Sequence, residues 1–544
     1  MVSREDELFE ELVYKFVNEY LEFNPLTGTY LGLHEYDVLL PDLSRERIEY
    51  AIKRIEWYYE RFREIEADKL TGYRRVDYEP IVRGLEETLI LTRDWPTWKM
   101  YPVGFDVVGE SIYPLLIRDY LPLEHRLNAL YSRVRGLDKV LEDSLRNVDE
   151  PYSLWIDYVL MTAKGLPGLL DIVKGFGEKH GFSELGEACD KVNDALSKAL
   201  NETIKLREKA KPGFKPIGRE LYEKLLKARF IDESIEELRR QGYEEARKYR
   251  KLMSEAAKKM NATSIVKALE KLKERHVSSV EDLFKTYHET LAKLKKFIIE
   301  KEVVELPPME RVEIIETPEF MRPLLPFAAY IPPEVFSWDY TGIFLVTPPT
   351  NEEMLKHHNT YDIMNTVIHE AYPGHHIQLV YAKLNPYPTR KILISANEFV
   401  EGWAHYCEEL LLELGIDNSP EYRLKVYHDA LWRAVRVYVD VELSTGMITF
   451  EQAVEKLVKD AYLPRDGAYA EALRYTMNPG YQVSYNYGKR KIKTLREKVK
   501  EILGKRFTYK LFHKMLLEEG NLPLKTLEKL VIEKAYKIAK TQGE

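Results

Sequence analysis

The residues best suited to chemistry lie in Thr366-Val-Ile-His-Glu-Ala-Tyr-Pro-Gly-His-His376. A His-Glu pair with a second His one helical turn on places two imidazoles on one face. There they share a zinc ion while the Glu activates its water. His369-Glu370 is present, but Pro373 stands four residues after His369, and His375 and His376 follow a Pro-Gly pair. In an unbroken helix His376 lies on the face of His369 but about 10 Å along the axis. That is too far for two nitrogens that each sit about 2 Å from one metal. Pro373 removes a helix hydrogen bond and Gly374 tolerates unusual dihedrals, so a bulge is expected between the histidines. A bulge that absorbs two residues presents His375, and one that absorbs three presents His376. His376, followed by the apolar Ile377, is the preferred ligand and His375 the alternative.

An open zinc site needs a third protein ligand, usually a Glu from a helix roughly 20–35 residues further on. Glu398-Phe-Val-Glu401-Gly-Trp-Ala-His405-Tyr-Cys-Glu408 lies at that distance. Glu401 is the expected ligand, and Glu408, two turns later on the same face, would hold a ligating His in its correct tautomer. The competing reading is a solvated acidic stripe of Glu398, Glu401 and Glu408. One Zn2+ is expected, with another divalent metal as substitute. It would bring the pKa of a bound water to about 7, and Glu370 would pass the proton to a leaving amine.

An oxyanion needs donors, and Tyr485 is the first candidate, with Tyr481 and Tyr487 behind it. Arg474, Arg433 and Arg436 could grip a substrate carboxylate bidentately. Arg436 and Asp440, four apart on one helix, read by default as a surface ion pair. His357, His358 and His405 read first as surface or packed histidines, though His405, four residues past Glu401, could still contact substrate.

Helical periodicity positions these residues. Apolar residues recur at three- and four-residue spacing over about 5–23, 43–68, 77–93, 123–148, 151–178, 183–210, 219–260, 263–274 and 279–301. Asp42-Leu-Ser44 and Ser278-Ser-Val-Glu281 are start signals, and Lys211-Pro-Gly-Phe-Lys-Pro216 is a break. From 302 the texture changes. Strands are expected at 311–316 and 342–347 around a proline-rich loop over 318–333, and such an edge could pair with an extended peptide. Helices resume near 358, with starts at Ser395, Pro420 and Thr449 and a turn at Met477-Asn-Pro-Gly480. The expected organisation is an N-terminal helical region over 1–302 and a zinc-binding region over 303–544.

The chain has 544 residues, 31% of them charged and 45% apolar, with a net charge of -8. That is a globular balance with neither a nucleic-acid footprint nor an acidic tail. The start is charged, no apolar run reaches about 18 residues, and two distant cysteines, Cys189 and Cys407, make no disulfide framework. A cytoplasmic location is therefore expected. Abundant Glu and Lys with scarce Gln fit a hot-growing source.

His369-Glu-Ala-Tyr-Pro-Gly-His-His-Ile-Gln378 followed by Glu401-Gly-Trp-Ala-His-Tyr-Cys-Glu408 resembles the family known as domain of unknown function 885. Tyr20-Leu-Glu-Phe-Asn-Pro-Leu-Thr-Gly-Thr-Tyr-Leu-Gly-Leu-His-Glu-Tyr36 and Arg474-Tyr-Thr-Met-Asn-Pro-Gly-Tyr-Gln-Val-Ser-Tyr-Asn-Tyr-Gly488 extend the resemblance over nearly the whole chain. It implies a zinc peptidase. More distantly, Phe399-Val-Glu401 with Glu408 is similar to the ligand helix of thimet-type oligopeptidases. His376-Ile-Gln is similar to the zinc helix of angiotensin-converting enzyme, and Gly480–Gly488 to the tyrosine segment of Taq-type carboxypeptidases. The chain departs from the family at Asp440-Val-Glu-Leu-Ser444, where members carry Asp-Thr-Gly-Leu and then His, and at Tyr481, where they carry Gln.

The expected fold is mainly α, a two-lobed zinc-peptidase-like architecture of the gluzincin type with a cleft and a small β-hairpin or short sheet beside the zinc helix. The expected activity is hydrolysis of short peptides, in carboxypeptidase or oligopeptidase fashion. The alternatives are a non-catalytic helical peptide-binding or scaffold protein and a zinc hydrolase of non-peptide amides. The partners expected are short peptides, with no nucleic acid and no membrane, and with a homo-oligomer left open.

Overall fold

The computed structural model describes residues 3–540, apart from 119–120, 319–321, 323–324, 326–327, 350, 352–354 and 357. His357 thus lies outside the described residues, as does part of the proline-rich loop. The chain is mainly helical, with one small sheet. It divides into two compact units, residues 1–215 with 318–326 and 334–338, and residues 216–317 with 327–333 and 339–544. The division thus falls at 215/216. The change of texture at 302 marks entry into the sheet inside the second unit, because composition follows the type of secondary structure rather than the packing of units.

In the first unit, helices Gly104–Ile117, Leu137–Arg146, Ser153–Thr162, Leu166–Lys179 and Ser183–Lys209 join α1 (Pro25–Leu31) and α2 (Leu123–Val134). Their core runs through Phe105, Val108, Ile112, Leu130, Val134, Leu169, Val173, Leu185, Val192 and Leu196. The periodic stretch 123–148 is two helices rather than one, because the chain turns at Arg135-Gly136. Similarly, 219–260 divides after Ala228, where Phe230 takes a positive φ of 60°.

The second unit carries the helices that position the chemical residues. They are α3 (Ile235–Lys259), α4 (Thr360–Glu370), α5 (His375–Leu384), α6 (Asn397–Glu413), α7 (Pro420–Ser444) and α8 (Val483–Leu503). Helix α3 packs along α7, where Tyr243 stacks on Tyr438 at 3.9 Å, and α6 packs along α8. The α6/α8 crossing is set by two glycines. A Cβ added to Gly402 would come within 2.5 Å of Gly488 Cα, and one on Gly488 within 1.7 Å of Glu398 O. Only hydrogen fits at this crossing, so Tyr485 and Glu401 are drawn to the same side of the pair.

The sheet holds β1 (Arg311–Glu316), β2 (Ala328–Ile331) and β3 (Thr341–Val346) in the order β1-β3-β2. β1 pairs with β3 in parallel, so the two expected strands do not form a hairpin, and β2, inside the proline-rich stretch, pairs antiparallel to β3. Thr449 caps its helix through a reciprocal bond with Gln452. By contrast, the 280–300 helix starts one residue later than expected. Ser279 is its N-cap, while Ser278 donates to Asp282.

Candidate metal centre

The break after His369 decides which imidazoles meet. Helix α4 ends at Glu370 and α5 begins at His375. Between them Ala371 N and Tyr372 N both bond back to Val367 O, and Gly374 N reaches Ile368 O at 3.0 Å. A Cβ on Gly374 would lie 1.9 Å from His369 O, so the chain can fold back only because this residue is glycine. The Trp403 indole donates to the carbonyls of Pro373 and Gly374 at 2.9 and 3.2 Å, tying the break to the neighbouring helix. Six residues of helix advance about 9 Å, yet the His369 and His375 ring centroids are 4.8 Å apart and perpendicular.

The bulge therefore brings His375 to His369, and His376, the preferred ligand in the sequence reading, is not part of the group. Its Nδ1 bonds Tyr330 Oη at 2.7 Å and its Nε2 bonds Glu310 at 2.8 Å. Both nitrogens are spent. Burial lowers its pKa from the ordinary histidine value.

His369, His375 and Glu401 each offer one ligand atom, and these atoms lie within 4.8 Å of one another. Glu401 Oε2 is 3.7 Å from His369 Nε2 and 3.6 Å from His375 Nε2. Two ligands bound at about 2.1 Å with a tetrahedral angle are about 3.4 Å apart. Glu401 Oε2 and His375 Nδ1 are moreover buried without a hydrogen-bond partner among the described residues. A group spaced beyond hydrogen bonding and left unsatisfied in the interior fits a zinc-class ion. Glu398, Glu401 and Glu408 are all buried, which removes the solvated-stripe reading.

The surrounding charges are paired. His369 Nδ1 is 2.7 Å from Glu408 Oε1, which leaves Nε2 turned to Glu401. Burial opposes protonation of His369, but the Glu401 and Glu408 carboxylates outweigh it and raise its pKa to about 10. Glu401 and Glu408 are both held well below the usual carboxylate range despite their burial. The two imidazoles do this for Glu401, and Arg433 with His405 and His369 for Glu408.

Asn365, one turn before His369, donates to Glu408 at 3.0 Å and to Asp429 at 2.6 Å. Lys425 then pairs with Asp429 and Asp362. The sequence reading did not include Asn365, Asp429 or Lys425. Asn365's place four residues before His369 on one helix face was the available signal.

The remaining candidates divide. Glu370 is half-buried and has no hydrogen-bond or ion-pair partner among the described residues. From α8, the Tyr485 ring lies nearly parallel to that of His369 at 6.4 Å, and its pKa is raised by burial. Tyr481 sits 5.9 Å from Tyr485 and donates to Glu401 Oε1. Tyr487, two residues past Tyr485 and therefore on another helix face, is not brought to the group. It lines a separate cavity with Asp232, Glu233, Lys491 and Leu524.

Arg433 is not free for a substrate, because its guanidinium lies 3.5 Å from both Glu408 and Asp429. Arg474 is exposed and tied to Glu471, which also pairs with Arg436 at 2.9 Å. Arg436 is buried against the Trp432 and Tyr485 rings. Asp440 is its expected partner, but it instead accepts from Gly480 N, Gln482 N and Ser444 Oγ and so holds the turn that carries Tyr481. Burial pushes the Asp440 carboxyl up to about 6. His405 is fully buried beside Glu408, and burial pulls it down to about 4, so it faces no accessible surface. His358 is buried, with its carbonyl bonded by Val277 N.

The family described as "Bacterial protein of unknown function (DUF885)" matches residues 25–531. Among solved structures, a "putative lipoprotein of unknown function" from Shewanella oneidensis is similar at 23% identity and a TM-score of 0.78, covering 96% of this chain and 99% of that one. A "putative lipoprotein" from Colwellia psychrerythraea is similar at 18% identity and a TM-score of 0.85, covering 99% and 100%. No curated protein matches. These likenesses establish a shared fold. They also correct the cytoplasmic expectation, since both relatives are described as lipoproteins. Among the described residues, no helix is long and apolar enough to cross a membrane.

Proposed function

For this chain, which belongs to the DUF885 family, we propose a zinc-dependent peptidase of the gluzincin type that hydrolyses short peptides. The observation that carries the reading is the convergence of His369, His375 and Glu401, with the ligand oxygen Glu401 Oε2 and the Glu370 carboxylate both without a hydrogen-bond partner among the described residues. Those three residues would hold a zinc-class ion, which when bound would supply Lewis acidity sufficient to bring the pKa of a water to about 7. Glu370 is the base that takes the proton and returns it to the leaving amine. Glu408 fixes the His369 tautomer, and Arg433 balances the Glu408 charge. Tyr485 is the donor for the developing oxyanion. Tyr481, bonded to Glu401, positions that carboxylate. β2 is an edge strand packed against α4, and its Tyr330 bonds His376, next in the chain to His375. It offers main-chain pairing to an extended substrate.

The test is digestion of a mixed peptide library by zinc-loaded protein, with products read by mass. Hydrolysis is expected to fall by about 10²–10⁴-fold in Glu370→Gln, with zinc content unchanged. Equal hydrolysis by Glu370→Gln, or a protein that takes up no zinc, would end the proposal. Product masses also separate release of single C-terminal residues from cleavage further inside the chain.

A further inference from the structure

The single histidine of the N-terminal motif Tyr20–Tyr36 belongs to a second constellation, within the first unit. His34 opens a short 3-10 turn after α1, and that turn carries Asp37 beneath its ring. His34 Nδ1 lies 3.0 Å from Asp37 Oδ2. His125, in the first turn of α2, brings Nε2 to 2.9 Å from the same oxygen. The three ligand-type atoms fall within 4.8 Å of one another. Asp37 is fully buried, and its Oδ1 has no hydrogen-bond partner among the described residues. The two imidazoles are about one-third exposed, at 31% and 34%, so the group opens to solvent on one side.

The outer charges resemble those around His369, though without its 2.7 Å hydrogen bond. His34 Nε2 faces Glu334 Oε2 at 3.7 Å, and Glu334 is buried and paired with Arg118 at 2.5 Å. Each constellation thus has a histidine with one nitrogen in the donor group and the other toward a buried carboxylate, which an arginine in turn balances. Two imidazoles and one carboxylate are a donor set suited to zinc-class ions. Two imidazoles converging on one oxygen while the other oxygen goes unused would be a poor arrangement for packing alone.

We propose that His34, Asp37 and His125 form a second transition-metal site of the zinc class. The ion would join the turn after α1 to the start of α2, elements 88 residues apart in sequence. With three protein ligands it keeps a position for water or a small ligand on its exposed side. The inference does not rest on peptidase activity.

The test is metal content of the full chain after equilibration with Zn2+ and removal of loose metal, with the visible spectrum of the Co2+-loaded protein as a second readout. Two equivalents per chain are expected, falling to one in His125→Gln and to one in the His375→Gln/Glu401→Gln double variant. The double variant leaves the first unit untouched, so it tests the site even where His125→Gln fails to fold. A double variant with no bound metal, or a His125→Gln protein that still binds two equivalents, overturns the proposal.

Discussion

His375 and His376 are neighbours in sequence and both are buried, yet they belong to opposite kinds of polar cluster. Around His376 every strong group is used. Tyr330 and Glu310 take its two nitrogens, and Glu310 also bonds Tyr372 and pairs with Lys295 at 2.6 Å. Around His375 the polar atoms stand 3.6–3.7 Å apart, and Glu401 Oε2 and His375 Nδ1 go unpaired among the described residues. A satisfied buried network rigidifies a fold, whereas an unsatisfied one costs stability unless a ligand completes it. Residue type does not separate the two. The state of the hydrogen-bonding groups does.

The sharpest way to break this contrast is to remove each histidine in turn. His375→Ala is expected to lose zinc affinity by more than about 100-fold, since even outer partners are worth about 10–100-fold. His376→Ala should change affinity by far less, and zinc titration of the two purified proteins reads the difference. Comparable losses would erase the distinction.

Glu408→Gln keeps the size of the side chain but removes the charge that holds His369 Nδ1. An affinity loss of about 10–100-fold is expected, with His375 and Glu401 left in place. Rescue in Glu408→Asp, against no rescue in Glu408→Ala, would separate orientation of His369 from simple packing.

The metal-free His369 carries a pKa of about 10, raised above 6.5 by Glu401 and Glu408. Its ion pairing therefore stabilises the metal-free fold fully below about 6.5 and is lost as pH rises through about 10. Zinc must displace that proton, so its affinity should rise about tenfold per pH unit toward 10, with one proton released from His369. Calorimetry in buffers of different ionisation enthalpy checks this, and zinc binding without proton uptake by the buffer would contradict it.

The smallest effect belongs to the satisfied cluster. His376→Ala leaves Glu310 with Lys295 and Tyr372 and strands Tyr330, so a loss of about 1–3 kcal/mol is expected. Denaturant unfolding of the metal-free proteins measures it. A stability equal to that of the unaltered chain would mean the His376 bonds contribute nothing net.

Much of the centre was legible in the chain itself. His369 and Glu370 were marked by their adjacency, Glu401 by its distance along the chain, and Glu408 by helical spacing, which fixes faces regardless of what packs on them. Asn365 obeys the same rule one turn earlier and was readable in principle. The long helical segments were legible too, though Gly136 and the positive φ at Phe230 cut two of them where periodicity continues unbroken. β2 was hidden because a proline-rich segment carries few strand signals, and its partner strand lies further along the chain.

The sequence by itself determined that the helix must break between His369 and His376, since Pro373 has no N–H to give and Gly374 alone can approach His369 O so closely. Tertiary structure alone decided how far the chain folds back, through the Trp403 indole on the carbonyls of the break and the Glu310–Tyr330 pair that draws His376 away. It also sent Tyr485 toward His369 and Tyr487 to another cavity, and gave Arg433 to Glu408 rather than to an open surface. The physical reason is common to these cases. Local spacing fixes a residue's direction from its own helix, while partners supplied by distant segments decide whether its polar atoms are spent or left open.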